Sequence, residues 1–455
     1  MAKYQAYAEY KDSGVEWLGK IPSHWLATQV KYGYLVTLGK MLQSTPKSSL
    51  DELKLYLKAQ NIQPNGINID QVESMWFSPD ECKKLLLQKS DVLVSEGGDA
   101  GRSAIWNCEL EECYIQNAIN RVRPKYVNNS KYFLYWMKFL KSTDFINIIC
   151  NKATIAHYTA EKLEGSPIFL PSSDEQIAIA NFLDHETAKI DHLIEKQQQL
   201  IELLKEKRQA VISHAVTKGL DPNVLMKDSG VEWLGEVPEH WDTTKIKYVA
   251  ELTPKKSEVS SNDNRLCTFV PMEKLKLGSL IKDEEKPISE VIGGYTYFKN
   301  GDLLLAKVTP CFENKNMVVA SDLKNGIGFG SSEIYVLRTN HKVNTQFLYY
   351  RLQEDQFMEL GTGAMTGAGG LKRVPSEFLN NFEFALPPLS EQIAITKYLN
   401  QYLIKNEYLM NKAQSAIQLM QERRTALISA AVTGKIDVRN WQAPSVTEAH
   451  TELSA

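Results

Sequence analysis

No stretch of this 455-residue chain approaches the roughly 18 consecutive apolar residues that a membrane-crossing helix requires, and Met1–Tyr10 carries no signal-peptide core. Both absences point to the cytoplasm. Cysteine is sparse, with six residues (Cys82, Cys108, Cys113, Cys150, Cys267, Cys311) and no C-x-x-C pair. That argues against zinc and for reduced thiols. Neither charge is in large excess. The formal net charge of −3 does not advertise a polyanionic partner, although composition cannot reveal basic residues gathered on one face.

Catalytic signatures are missing as well. The eight histidines include no H-E-x-x-H pair, and the single Pro-Pro, Pro387–Pro388, precedes a leucine rather than the aromatic of an adenine-methyltransferase motif. Pro79-Asp80 followed by Glu81-Cys82-Lys83 has the letters of a nuclease triad but not its separation. The glycine-rich run Gly361–Gly370 has no G-K-[ST] and no preceding strand, so it fits neither phosphate-binding fingerprint; a flexible loop or close backbone packing is expected there. Nothing assembles a catalytic centre. A catalytic protein and a pure protein-interaction scaffold remain the competing classes.

What the chain does contain is a repeat. Lys11–Trp25 and Lys227–Trp241 share twelve of fifteen positions at an offset of 216. Pro171–Thr217 aligns without gaps to Pro387–Thr433 at that same offset, sharing Glu175/Glu391, Gln176/Gln392, Arg208/Arg424 and a final Ala-Val-Thr. One offset held through two separated blocks is a duplication. Between the blocks lie two segments of nearly equal length and little identity, Leu26–Leu170 and Asp242–Leu386. A common order survives: Asp91–Ser95 and Asp302–Ala306 read as buried strands, and Arg121–Arg123 and Tyr335–Arg338 occupy similar places. The frame is repeated and its filling has diverged.

The second repeated block predicts two helices of about 40 residues, roughly 60 Å each at 1.5 Å per residue. Apolar residues recur at 3-4 spacing through Ile190, Leu193/Ile194, Gln197, Leu200/Ile201, Leu204 and Val211/Ile212. The copy gives Asn406, Leu409/Met410, Ala413, Ala416/Ile417, Met420 and Leu427/Ile428. Such a seam wants a helical partner, and bulky residues in one helix face small ones in the other. Asp174 and Ser390 are the expected N-caps; Gly219 and Gly434 mark the left-handed stops. Antiparallel pairing would relate two modules by a pseudo-twofold axis. Two independent helical hairpins are the alternative.

The SGVEWLGxxPxHW motif, the EQIAI helix starts and the R-x-A-L-I-S-x-A-V-T-G helix end resemble Type I restriction-modification specificity subunits, over essentially Asp12 to Ile436. The resemblance implies an α/β fold: two globular target-recognition domains separated by two long helices that pair as an antiparallel coiled coil, a pseudo-twofold internal repeat. The expected segments are an N-terminal frame (1–25), target-recognition domain 1 (26–170), a central helical region (171–226), the repeated frame (227–241), target-recognition domain 2 (242–386), a C-terminal helical region (387–436) and a disordered tail (437–455). The resemblance also implies a non-catalytic subunit that reads a bipartite, asymmetric double-stranded DNA target. Two methyltransferase subunits and the restriction/translocase subunits would be its partners. S-adenosylmethionine, Mg and ATP would reside on those partners, and no metal on this chain.

Base edges and phosphates are contacted by Arg, Lys, Asn, Gln, Ser and Thr on loops. Candidates in the first module are Lys40, Gln43, Ser44 and Lys47; Gln60 and Asn61; Arg102 and Ser103; Gln116, Asn117 and Asn120; and His157 in the Lys152–Thr159 segment. In the second they are Lys255 and Lys256; Lys307, Thr309 and Lys315; Ser331 and Ser332; and Thr362, Lys372 and Arg373. A solvated loop side chain is the bland reading of any one of them. Trp17, Trp25, Trp233 and Trp241 recur in the frame and are expected to pack.

Overall fold

The computed structural model describes residues 4–150, 157–368 and 370–443. The chain divides into two compact units. One comprises residues 1–197 and 415–455, the other 198–414. The division falls within the two long helices, so each unit holds one module with the start of one helix and the end of the other.

In the first unit the module is built on two sheets. β1 (Tyr34–Leu38), β4 (Val92–Ser95), β5 (Ser103–Ile105) and β7 (Ile119–Pro124) form one, in the order β5-β4-β7-β1. β2 (Glu52–Leu57), β3 (Glu73–Phe77) and β6 (Tyr114–Ile115) form the other, in the order β6-β2-β3, with β6 parallel to β2. β4 reads Val-Leu-Val-Ser, is buried throughout and lies between neighbours, as a continuous apolar run requires. Helix α1 (Ser130–Ser142), capped by the Asn129 side chain on the Tyr132 N–H (3.0 Å), covers this sheet with Tyr132, Phe133, Trp136 and Leu140. The chain then enters α2 (Ser173–Lys218).

The second module has the same plan despite its different sequence. β8 (Ala250–Leu252), β12 (Leu303–Ala306), β13 (Met317–Val319) and β15 (Ile334–Thr339) are ordered β13-β12-β15-β8. β9 (Leu266–Val270), β10 (Glu285–Pro287), β11 (Thr296–Lys299) and β14 (Ile327–Gly330) are ordered β10-β9-β14-β11, with β14 parallel to β9. Every strand of the first module thus has a counterpart, and β11 is added. The module continues through α3 (Thr345–Arg351) and α4 (Asp355–Gly363) to a hairpin of β16 (Thr366–Ala368) and β17 (Leu371–Arg373), and the chain closes with α5 (Leu389–Val432).

The repeated motifs are explained by their bonds. Glu175 Oε1 accepts from Tyr7 Oη (2.6 Å) and Trp25 Nε1 (3.0 Å), and Oε2 lies 3.0 Å from His24 Nε2. In the copy, Glu391 Oε2 takes Trp241 Nε1 at 3.1 Å and His240 Nε2 at 2.8 Å. The adjacent glutamines reach α1 and α3: Gln176 Oε1 accepts from Asn129 N (2.9 Å), and Gln392 Oε1 from Asn344 N (2.7 Å). The shared Glu-Gln therefore joins frame, module and long helix in each unit. Trp25 and Trp241 are wholly buried, Trp17 stacks on Phe145 and Trp233 on Phe382. The frame tryptophans pack, as expected.

A second repeated constellation lies inside the modules. Asp91 accepts from Arg123 Nε and Nη2 (both 2.7 Å) and from Gln88 N (2.8 Å); Asp302 accepts from Arg338 Nε and Nη2 (both 2.8 Å) and from Lys299 N (2.9 Å).

Three expectations are corrected. α2 begins at Ser173, where the Ser172 hydroxyl accepts from Glu175 N (3.4 Å), and α5 begins at Leu389, so Asp174 and Ser390 lie inside the first turns instead of capping them. Gly219 and Gly434 do have left-handed φ, of 81° and 71°. The tail is ordered through its first residues: Asp437 N donates to Gln5 O (2.8 Å), Val438 is buried, and Trp441 meets Phe182 edge-on. These apolar contacts hold residues that composition alone assigned to disorder; residues 444–455 lie outside the described ones. The glycine-rich run is a helix end followed by a hairpin, not a flexible loop; close packing, the other alternative, holds at Gly361, where a side chain would meet the Phe312 ring at 2.5 Å.

Within each unit the long helices contribute opposite ends. In the first, Arg424 Nε bonds Asp191 Oδ1 at 2.8 Å, and Ile179, Phe182 and Leu183 share a core with Ile428 and Val432. In the second, Asn406 Nδ2 donates to Leu204 O (3.1 Å), and Ile212 and Val216 share a core with Ile395 and Leu399. Leu193, Leu200 and Leu409 are exposed, so the buried stripe is narrower than the doubled apolar positions suggested.

Candidate DNA interface

Most of the candidate residues lie on connections that occupy matching places in the two modules. In the first these are β1–β2, β4–β5, β6–β7 and the segment before Tyr158; in the second they are β8–β9, β12–β13, β14–β15 and the β16–β17 hairpin. Gln60 and Asn61 lie instead between β2 and β3, Ser103 and Asn120 within β5 and β7, and Thr362 within α4. Main-chain bonds bring most of them to one end of each module. Asn117 N donates to Lys40 O (2.8 Å), Glu96 N to Ala118 O (2.9 Å), and Tyr158 N to Glu96 O (2.7 Å). The second module repeats the last two as Lys307 N to Glu333 O (3.0 Å) and Val374 N to Lys307 O (2.8 Å), and Thr309 N also donates to Lys372 O (3.0 Å). Backbone geometry at the loop bases is the same in both modules. The side chains are not.

The side chains divide into three groups. Ser44, Lys47, Gln60, His157, Lys255, Ser332, Thr362 and Lys372 are exposed. Gln116, Asn117 and Ser331 are half-buried at the loop bases. Other candidates are turned inward by bonds of their own. Lys40 is held by Glu81 and lies over the Phe77 ring; Gln43 Nε2 donates to Asp51 Oδ2 (3.1 Å). Asn61 Nδ2 spans Asn68 O (2.9 Å) and Gln71 O (3.1 Å); Asn120 Nδ2 donates to Tyr158 O (3.2 Å). Ser103 is buried at the start of β5, and Arg102 Nη2 donates to Ala59 O (3.0 Å). Lys256 reaches Ile292 O, away from the other loops, and Lys315 Nζ is taken by Gln353 O (2.8 Å) and Asp355 Oδ1 (2.7 Å). Thr309 Oγ1 accepts from Lys372 N (3.0 Å) and donates to Gly370 O (2.9 Å). Lys152–Ala156 of the expected loop lies outside the described residues.

Two acidic residues, Glu96 and Glu333, were missed by sequence reasoning. Glu96 follows the central buried strand as the candidate Lys307 does in the copy, so setting Asp91–Ser95 against Asp302–Ala306 and reading one residue further would have found it. Burial raises the Glu96 carboxyl above the ordinary carboxylate range, with His157 Nδ1 3.9 Å away. Glu333 is shifted the other way: its bidentate pair with Arg373 (2.9 and 3.0 Å) lowers it. Among the described residues no group of three His, Cys, Asp or Glu could hold a metal ion, and no helix is long and apolar enough to cross a membrane.

Two α/β modules of one topology, set on a duplicated frame of long helices, define the class of fold. The sequence profile described as "Type I restriction modification DNA specificity domain" matches residues 38–203 and 238–419, once per module, and the chain belongs to that family. It is 35% identical over 190 residues to the Type I restriction enzyme EcoAI specificity subunit of Escherichia coli, a match covering 41% of this chain but only 32% of that protein's length. Over 93% of this chain and 96% of the relative it is 24% identical to the putative type I restriction enzyme MjaX specificity subunit of Methanocaldococcus jannaschii. A solved structure from work on complex assembly and conformational transition of the type I R-M system superposes over 91% of this chain and 99% of its own, with TM-score 0.63 at 15% identity. The fold is shared with it.

Proposed function

We propose that this chain is the DNA sequence-specificity subunit of a Type I restriction-modification enzyme, without catalytic activity of its own and working in the cytoplasm. Each module reads one half of a bipartite, asymmetric target. α2 and α5 pair as an antiparallel coiled coil and set the spacer between halves, as half-sites about one DNA turn apart require. They also scaffold two methyltransferase subunits and the restriction/translocase subunits, on which S-adenosylmethionine, Mg and ATP reside. The ion pair and the side-chain amide bond to a carbonyl between α2 and α5, one in each unit, support the pairing. The weak net charge assigns selectivity to this chain and much of the affinity to its partners.

One observation carries the reading. The two modules hold their loop bases with the same main-chain bonds yet present different side chains, Glu96 in one and Lys307 in the other. Such a pair reads two different things with one geometry. The test is methylome sequencing of cells supplied with the methyltransferase subunit and either this chain or a chimera exchanging 26–170. The wild type yields a split motif with fixed spacer, and the chimera changes only one half. Methyl transfer by the purified chain alone, or a chimera altering both halves, refutes the proposal.

A further inference from the structure

The Thr366–Arg373 hairpin is more than a surface turn. β16 and β17 pair as Thr366↔Arg373, Gly367↔Lys372 and Ala368↔Leu371. β17 is pinned along its other edge to the β12–β13 loop by an antiparallel bridge, Val308↔Arg373, flanked by Thr309 N to Lys372 O and Val374 N to Lys307 O. The ribbon is therefore a short extension of the module's frame, fixed at its base and exposed at Thr366, Ala368, Leu371 and Lys372. Gly367, at φ +140°, lets the strands close: a side chain there would sit 2.4 Å from Leu371 O. Lys307, Lys372 and Arg373 gather at its base, where Glu333 pairs with Arg373, on a chain of net negative charge.

A two-stranded ribbon is one of two elements that the DNA major groove admits. We propose that this hairpin is the element of the second module that enters the major groove of its half-site. This rests on the DNA-reading function proposed above. Lys372 and Thr366, exposed on opposite faces by strand alternation, are its specificity-determining residues. Arg373 is a positioning residue: its guanidinium is engaged by Glu333, and it sets the angle at which the ribbon leaves the module.

The test uses the full chain assembled with its methyltransferase subunit, with methylome sequencing as readout. Lys372→Ala and Thr366→Ala each relax base preference by roughly tenfold at positions of one half-site, leaving the other half and the spacer unchanged. A uniform loss of methylation with an unaltered motif makes Lys372 a phosphate clamp and overturns its reading role, and an unchanged motif in both variants overturns the ribbon. Arg373→Glu broadens the second half-site, and the double variant Arg373→Glu with Glu333→Arg restores it. Failure of the swap to restore a motif in a complex of normal thermal stability means that Arg373 contacts DNA directly, contrary to the positioning role. A wild-type complex that methylates no split motif refutes the underlying function instead.

Discussion

Removing Asp91 or Asp302 should damage the two modules equally, because each residue does the same work in its own copy. Each carboxylate accepts two bonds from an arginine and one from a backbone N–H three residues earlier, with side-chain exposure of 1% and 2%. Alanine leaves that N–H without its acceptor, which costs about 1–3 kcal/mol when buried. It also takes the bidentate partner from a guanidinium, although Arg338 keeps a longer contact with Glu258 at 3.6 Å. Breaking a buried ion pair costs about 3–5 kcal/mol. Arg123 and Arg338 are 28% and 19% exposed, so water replaces part of that loss, and about 3 kcal/mol is expected for either variant. In a unit of 150–250 residues this lowers Tm by roughly 6–12 °C. Calorimetry gives the size, and hydrogen exchange resolved by peptide gives the place: Asp91→Ala should expose amides of the first module only, and Asp302→Ala those of the second. A loss under about 1 kcal/mol in either, or protection lost equally in both modules, would refute the reasoning.

Glu175→Ala should destabilise more than Glu391→Ala, by about 3 against about 1.5 kcal/mol in chemical denaturation, because Glu175 is 4% exposed and holds the extra Tyr7 bond. Asn406 is 3% exposed, with its Oδ1 unpaired among the described residues. Replacing it with leucine should raise stability by about 1 kcal/mol while weakening the register that the Leu204 bond imposes; a fall in denaturation midpoint would contradict this. Glu96 has its carboxyl raised by burial, so its folded-state pKa exceeds the unfolded value. Stability is then full below the ordinary carboxylate range and lost as pH rises through the raised value. Glu96→Gln should show a Tm advantage over the parent that grows between pH 4 and 7; an advantage shrinking with pH would reverse the sign.

The frame was legible in the sequence because its residues bond to one another. His24-Trp25 with Glu175, and His240-Trp241 with Glu391, recur together because each pair shares a carboxylate. Asp91-x-x-x-Ser95 and Arg123 were visible as a faint common order for the same reason. The helix starts were placed slightly late because Ser172 competes with Asp174 as a cap, and only backbone geometry decides between them. Of the candidate site, the loops were legible and the side chains were not. Asn61 and Asn120 have the chemistry of base readers, but the carbonyls they bond come from residues distant in sequence. Arg373 was paired by Glu333, forty residues away, which no local pattern announces.

The bonds beneath Glu96 and Lys307 run entirely through the main chain: Glu96 N to Ala118 O and Tyr158 N to Glu96 O in one copy, Lys307 N to Glu333 O and Val374 N to Lys307 O in the other. Among the described residues, neither side chain takes part in holding its own backbone. Since duplication, this place has exchanged a carboxylate for an ammonium, or the reverse, while the strand order around it stayed the same. A position anchored in this way can be rewritten without renegotiating the fold. New preferences can then arise one substitution at a time, and each half of the molecule can drift from its twin at little structural risk.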